Sequence, residues 1–458
     1  MARKGRHPRR QGRVAPRANR PTAAGRTWGD PEFGRPAEPE LLTSVRRAVR
    51  SGRPLDLLLL ASGLLTLVDP RCLDPFRRAE PADRPPPTLD GLVESFRGVA
   101  RPETSALLMV IAALAPGRDD EWRTSLAAEV ARRGHRLPAW LDHLAAAQAT
   151  KAVEMVHVLG DGDNVVVGVD LLPDHHVSAV VYIDHNMGTV VKDAFVVPDD
   201  PDGLVADMRR VNDDPGTTFR DIDAADARAR IVDAVDDGAR TWPPFETDTW
   251  PACRPLVEWV ARLLPAGGTG YRRREWTDAE RDQLAERFLG SPPGARHRSS
   301  DHLDLLDALL WYGTDYGTGD PLRWSPVSVE IVLADWIPRK IVAPPARLRE
   351  APDVLRDLIR FGHGELGIPG ELTEETLAAV DAWEPAYQAA IRSPRLQGAD
   401  ALLAAVGVVA HDEQQDELSD LTDEPLPDED VDWARVPDDI AQEVGEVVRR
   451  SDRVLGDL

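Results

Sequence analysis

The apolar positions of the chain follow a helical period, then a period of two, then a helical period again. From Glu38 to Ala147 they recur at helical spacing in six segments: Glu38–Arg50, Pro54–Leu67, Leu89–Gly98, Pro102–Leu114, Glu121–Arg133 and Pro138–Ala147. Proline and glycine punctuate the gaps, as at Pro116-Gly117. An all-helical unit over 38–150 is predicted. Between Lys151 and Asp199 four strand-length runs follow, Val153–Leu159, Val165–Leu171, Val177–Asp184 and Thr189–Val197, rich in β-branched residues and joined by short polar turns. This pattern predicts an antiparallel meander. In the third run Val177, Ala179, Val181 and Ile183 share one face while Ser178, Val180, Tyr182 and Asp184 share the other; the second run is apolar on both. One face of the sheet is therefore expected to be fully buried and the other covered by helices.

Helical spacing returns at Asp202–Val211, Ala224–Arg240 and Pro255–Leu264, which would cover the sheet and complete an α+β unit over 151–264. Residues 265–270, Pro-Ala-Gly-Gly-Thr-Gly, read as a linker. A second helical unit is expected over 271–410. Thr277 to Glu280 fits a capping box opening a helix that runs to about Phe288, and His302–Trp311 continues the pattern. Ser325-Pro326 supplies an N-cap and a first-turn proline before Val327–Ile337, where helix is favoured over strand. Helices at Pro352–Gly362, Thr373–Ile391 and Gly398–Val409 follow. The fold class is α+β, mostly helical, with one four-stranded antiparallel sheet and its covering helices between two helical units.

Charge adds two tails to this picture. Residues 1–37 begin with nine basic residues and no acid before Trp28, while from His411 to Leu458 there are seventeen acids against four arginines. Both ends are expected to be disordered. Over all 458 residues, 55 basic and 78 acidic side chains give a net charge of −23, which argues against the body of the protein binding nucleic acid or an anionic membrane. The basic N-terminal tail is the exception, a segment suited to weak, salt-sensitive contact with nucleic acid. The two cysteines, Cys72 and Cys253, are too few for a disulfide framework or a cysteine metal site. No signal-peptide pattern opens the chain, and Leu55–Val68 is too short to span a bilayer. A cytoplasmic location without membrane contact is the reading.

Candidate chemistry is sparse. Asp174-His175-His176 and Asp184-His185 occupy the turns on either side of the third strand, and His and Asp are metal-ligating types. Consecutive turns of a meander fall at opposite ends of a sheet, so the two groups are expected to lie a strand length apart and no metal is assigned. Asp161 and Asp163 resemble the opening of a calcium loop but lack its completing glycine and glutamate, which favours a hairpin turn. His157 reads as a core or rim histidine. The aromatic residues Trp311, Tyr312, Tyr316, Trp324 and Trp336 form the candidate recognition surface, because Trp and Tyr supply large rigid contact area; the competing reading places them in the core beneath a helix end capped by Gly313.

Three resemblances bear on function. The triplet Asp174-His175-His176 resembles a phosphoesterase motif, whose other aspartates are not found upstream. Asp170, near the end of an apolar strand, followed by two further strands and a helix, resembles the outline of RNase H-like nucleases and of sugar-kinase-type ATPases. The ATPase would need a glycine-rich phosphate turn after the aspartate, where this chain has Leu171-Leu172-Pro173-Asp174. The segments Ser325–Glu330, Asp335–Lys340 and Glu371–Leu377 resemble an uncharacterised bacterial protein family over the C-terminal helical part, which implies no activity. Walker, nucleophile-elbow, zincin and dinucleotide motifs are missing from the sequence, and no cofactor is expected. The functional expectation is a cytoplasmic interaction or regulatory protein without catalytic activity and with a protein partner. The alternative is a metal-dependent hydrolase or nuclease centred on Asp170.

Overall fold

The computed structural model describes residues 40–72, 86–172, 175–186, 188–241, 247 and 249–392. Both charged tails and the helix expected at Gly398–Val409 lie outside the described residues.

Six helices precede the sheet: α1 (Glu40–Ser51), α2 (Pro54–Leu67), α3 (Leu89–Arg97), α4 (Pro102–Leu114), α5 (Asp120–Arg133) and α6 (Ala139–His143). α2 and α4 are apolar on nearly every side, so they cannot lie at a surface. Leu57 and Leu58 of α2 and Leu107, Leu108 and Ile111 of α4 are fully buried. The sheet follows as β1 (Gln148–His157), β2 (Gly162–Leu172), β3 (His175–Asp184) and β4 (Val190–Val197), then α7 (Pro201–Val211) and a further strand, β5 (Thr217–Asp221).

The sheet therefore has five strands, in the order β4-β3-β2-β1-β5, and not the four read from the sequence. β5 pairs antiparallel with β1, with Val156 opposite Thr218 and Glu154 opposite Arg220. Its five residues, Thr-Thr-Phe-Arg-Asp, are half-buried or exposed, so they carry no apolar run for a periodicity argument to find. To place β5 at the far edge, α7 crosses the sheet on the face of Val153, Val166 and Val180, which pack against Val205. Gly168 lets it come close: a Cβ there would lie 2.4 Å from Pro201 Cγ in the first turn of α7.

The opposite face carries Val165, Val167, Val177, Ala179, Val181 and Ile183, the alternation expected for β3. It shares one continuous core with α1–α6, α8 (Ala224–Gly238) and α9 (Arg254–Leu263).

Residues 264–276 then run as a strap along α8. The Leu264 carbonyl accepts from Arg228 Nη1 at 2.7 Å, the Thr269 amide donates to Asp226 Oδ1 at 2.7 Å, and a Cβ on Gly268 would meet the Ala225 backbone at 2.0 Å. Further on, Arg273 donates to the Thr314 carbonyl at 2.9 Å and Trp276 Nε1 to the Gly319 carbonyl at 2.9 Å.

Beyond the strap come α10 (Asp278–Gly290), α11 (Ser300–Trp311), α12 (Pro326–Glu330), α13 (Ile337–Lys340), α14 (Pro345–Leu348), α15 (Ala351–Leu366) and α16 (Gly370–Ala390), around a second core that includes Leu309, Val329, Leu358 and Val380. Thr277 and Glu280 close the capping box read from the sequence, and the Thr277 amide bonded to Glu280 holds that carboxyl down at about 2, with help from Arg274. Ser325 caps α12 and Pro326 stands in its first turn. Two segments widen to π-helix, Tyr312–Tyr316 after α11 and Ile331–Trp336 between α12 and α13. The first corrects the expectation of a helix stopped at Gly313. That glycine lies inside the widened turn, where a Cβ would meet Pro321 Cα at 2.6 Å, and Gly317 follows as the cap, its amide bonded to the Tyr312 carbonyl at 2.7 Å.

His363 ties α15 to this second core. It is 1% exposed, with Nε2 2.9 Å from the Trp324 carbonyl and Nδ1 3.0 Å from Thr373 Oγ1. Burial holds its pKa below the ordinary value, assisted by the nearby Arg323 charge and opposed by the bond to Trp324. Between that lowered value and the unfolded value of about 6.5, the unfolded chain binds more protons than the folded one, so stability rises with pH across this window. As pH falls from neutrality through about 6.5 and the lowered pKa, the denaturation midpoint is expected to drop. His363→Gln should flatten that part of the profile, and an unchanged pH slope in the variant would exclude this histidine as its source.

Candidate functional site

A cleft of about 520 Å³ opens at the end of the sheet where β1 finishes and β2 and β5 begin. Its walls come from four stretches distant in sequence: Val156, His157, Val158, Gly160 and Asp163 around the β1–β2 turn; His185 of the β3–β4 turn; Gly216 with Thr218 and Arg220 of β5; and Thr318, Asp320 and Arg323 from the loop before α12. Two contacts hold that loop to the sheet, and a third joins the sheet to the start of α16. Arg323 Nη1 bonds the Val158 carbonyl, Ser325 Oγ donates to Asp161 Oδ1 at 2.5 Å, and Leu159 packs against Ile368 and Leu372. Gly160 is required by its turn, having φ +72° and only 2.7 Å between a notional Cβ and Arg323 Cδ.

Behind the cleft lies a buried charge network. Glu154 of β1 is fully buried and accepts from Arg220 Nε at 2.7 Å, from Arg230 Nη1 of α8, and from the Tyr271 hydroxyl at 3.5 Å. Such a carboxylate is tolerated only because it is paired and hydrogen-bonded. Burial would lower the pKa of Arg230, but the Glu154 charge outweighs it and the net shift is upward. The Tyr271 hydroxyl is pushed up by burial, then by the charges of Asp163 and Glu154, and so remains a neutral donor. Asp161 is also pushed up by burial, against the bonds it accepts from Asn186 and Ser325.

Two histidine–aspartate pairs face this region. His185 Nε2 is 3.0 Å from Asp163 Oδ2, its Nδ1 is 3.3 Å from Thr189 Oγ1, and its ring meets Tyr271 edge-on at 4.7 Å. The network assigns its proton to Nε2, with Nδ1 accepting from the threonine. His157 Nδ1 accepts from the Leu159 amide at 3.2 Å; its Nε2 lies 3.0 Å from Asp214 Oδ2 but off the hydrogen-bonding direction. Gly216 covers that nitrogen, since a Cβ there would sit 2.5 Å from it. A general base needs a nitrogen open toward a reacting proton. Neither histidine presents one: both nitrogens of His185 are engaged, and Nε2 of His157 is capped. Both imidazoles are held in place by these neighbours.

The sequence-derived residues fall as follows. Asp170 is exposed and paired with His176 at 2.7 Å, at the end of the sheet opposite the cleft. His175 is beside it, 3.3 Å from the Gly52 carbonyl, while Asp174 lies outside the described residues. Asp184 and His185 stand at the cleft end, a strand length away, with Asp184 bonded by Lys192 at 2.9 Å. Among the described residues no three of His, Cys, Asp and Glu are grouped so as to hold a metal ion. The five aromatic residues form one cluster: Tyr312 stacks on Trp324 at 5.7 Å, and Trp311, Tyr312 and Tyr316 all meet Trp336 edge-on within 5.4 Å. Tyr312, Trp324 and Trp336 are buried, so only Trp311 and Tyr316 present exposed surface.

Arg220, Arg323, Asp214 and Tyr271 have no counterpart among the candidates read from the sequence. Arg220 lies on the overlooked strand, and no local spacing marks the others. Among the described residues no helix is long and apolar enough to cross a membrane. Comparison with protein-family models, curated proteins and solved structures finds no match.

Proposed function

We propose that the chain is a cytoplasmic interaction or regulatory protein that works by binding, and that the cleft between the sheet and the Thr318–Arg323 loop receives its ligand. The observation that carries this is a concavity between parts of the chain distant in sequence, whose lining includes polar side chains already fixed in internal pairs. Arg220 and Arg323 are each anchored at one edge, to Glu154 and to Asp320 with Val158, so a planar cationic group is offered with little ordering cost. The reading suits a small polar ligand carrying a carboxylate or phosphate. Trp311 and Tyr316 add an exposed aromatic edge for a protein partner.

The alternative, hydrolysis centred on Asp170, has less support. Asp170 is exposed, and its hydrogen-bonding partner is one histidine, with no second carboxylate joined to it among the described residues. Two measurements test the proposal together. In a thermal-shift screen of small carboxylates and phosphates, at least one should raise the melting temperature of the wild type and fail to do so with Arg323→Ala. Turnover of a nitrophenyl phosphodiester with Mg²⁺ or Mn²⁺ should be the same for wild type and Asp170→Asn. A rate that collapses in Asp170→Asn would replace the binding reading with the hydrolase.

A further inference from the structure

A pair of histidines outside the cleft has the geometry of a metal-binding half-site. His297 lies between α10 and α11, is 1% exposed, and stacks on Phe288 at 5.8 Å. Its Nε2 is 2.8 Å from Asp357 Oδ2 on α15. Asp357 also receives Arg296 Nε at 2.8 Å and Arg360 Nη1 at 2.9 Å. With a carboxyl group that already accepts from two arginines standing 2.8 Å from Nε2, the hydrogen-bond network assigns the His297 proton to Nε2 and leaves the lone pair on Nδ1.

That lone pair faces His302 Nδ1, 3.3 Å away in the first turn of α11. Two nitrogens each about 2.05 Å from a tetrahedral ion stand about 3.3 Å apart, and the imidazole centroids then fall about 5 Å apart. The observed centroid separation is 4.9 Å with the ring planes at 64°. Four residues separate the histidines (His297-Arg-Ser-Ser-Asp-His302), within the three-to-five spacing that zinc-binding histidine pairs use. Asp357 occupies the outer position from which a carboxylate orients a ligating imidazole and strengthens its basicity.

We propose that His297 and His302 bind a borderline divalent cation such as Zn²⁺ or Ni²⁺ through their Nδ1 atoms, with Asp357 as the positioning residue and water in the remaining coordination places. The site is independent of the cleft and of the reading given to it. The flanking Arg296 and Arg360 neutralise Asp357, so the cation meets two neutral imidazoles and no uncompensated carboxylate, which keeps the affinity moderate and leaves folding independent of metal.

The competing arrangement is a simple N–H to N hydrogen bond between the rings, and metal titration separates the two. Full-length protein stripped with EDTA and dialysed should bind Ni²⁺ and Zn²⁺ saturably in calorimetry, and Co²⁺ should show ligand-field absorption with nitrogen ligands. His302→Ala should abolish the Co²⁺ spectrum and weaken binding at least tenfold, while changing the melting temperature of the metal-free protein little, because His302 is only half-buried in the first turn of α11. Asp357→Asn should weaken binding about 10- to 100-fold through loss of orientation. Undiminished affinity in His302→Ala, or loss confined to a His175→Ala/His176→Ala variant, would overturn the assignment, as would a wild type that binds none of the three ions.

Discussion

Val167→Asp is expected to lower the unfolding free energy by more than about 3 kcal/mol, the cost of an unpaired charge placed where neither water nor a partner can reach it. Val167 is fully buried in β2, with Ala152 opposite it on β1 and Ala179 on β3, and its side chain lies in the core shared by the sheet and the helices α1–α6, α8 and α9. Relaxation cannot relieve the charge, because β2 is flanked on both edges and covered on both faces. Single domains are stable by about 5–15 kcal/mol, so the variant loses a large fraction of the total. Urea denaturation followed by tryptophan fluorescence reads this directly, and a midpoint equal to that of the wild type would contradict the burial of the strand.

Glu154→Ala is expected to have an effect of similar size, about 3–5 kcal/mol, by a different route. Removing the carboxylate strands Arg230, whose side chain is 17% exposed, without the partner that holds its charge; Arg220, 62% exposed, simply returns to water. A double variant, Glu154→Leu with Arg230→Met, should recover most of the loss, since replacing a buried ion pair by apolar residues of similar volume is often neutral or stabilising. With Glu154→Leu and Arg230→Met also measured singly, the cycle gives the coupling between the two residues. If the double variant were no more stable than Glu154→Ala, the penalty would lie in lost packing and not in the stranded cation.

The sheet was legible because its chemistry is local. Alternating Val177, Ala179, Val181 and Ile183, and the unbroken valines of β2, specify strand, face and burial without knowledge of the rest of the chain. The separation of His175 and His176 at one end from Asp184 and His185 at the other followed from the same alternation of turns. β5 was not legible: Thr217 to Asp221 becomes a strand by pairing with β1 after α7 has crossed the sheet, and that pairing leaves no mark on five polar residues. The cleft was hidden for the same reason, since His157, Arg220 and Arg323 come together only through tertiary contact. The aromatic residues were visible as a group. Their exposure was not, because it depends on the widening of two helices, at Tyr312–Tyr316 and Ile331–Trp336, which no apolar spacing announces.

The strap from Leu264 to Trp276 bears on how this protein can be divided. A stretch of proline, alanine and glycines invites a cut, a tag or a fused reporter, as a free tether would accept. Here the same residues are bonded to Arg228 and Asp226, pressed on the Ala225 backbone at Gly268, and continued by Tyr271 into the Glu154 network. Two fragments made by cutting at residues 265–270 would each expose surface that the other covers. Expressed separately they should be poorly soluble, and co-expressed they should find each other again and co-purify, with Tyr271 and Arg323 on the second fragment acting as the catch on Glu154 and Val158 of the first.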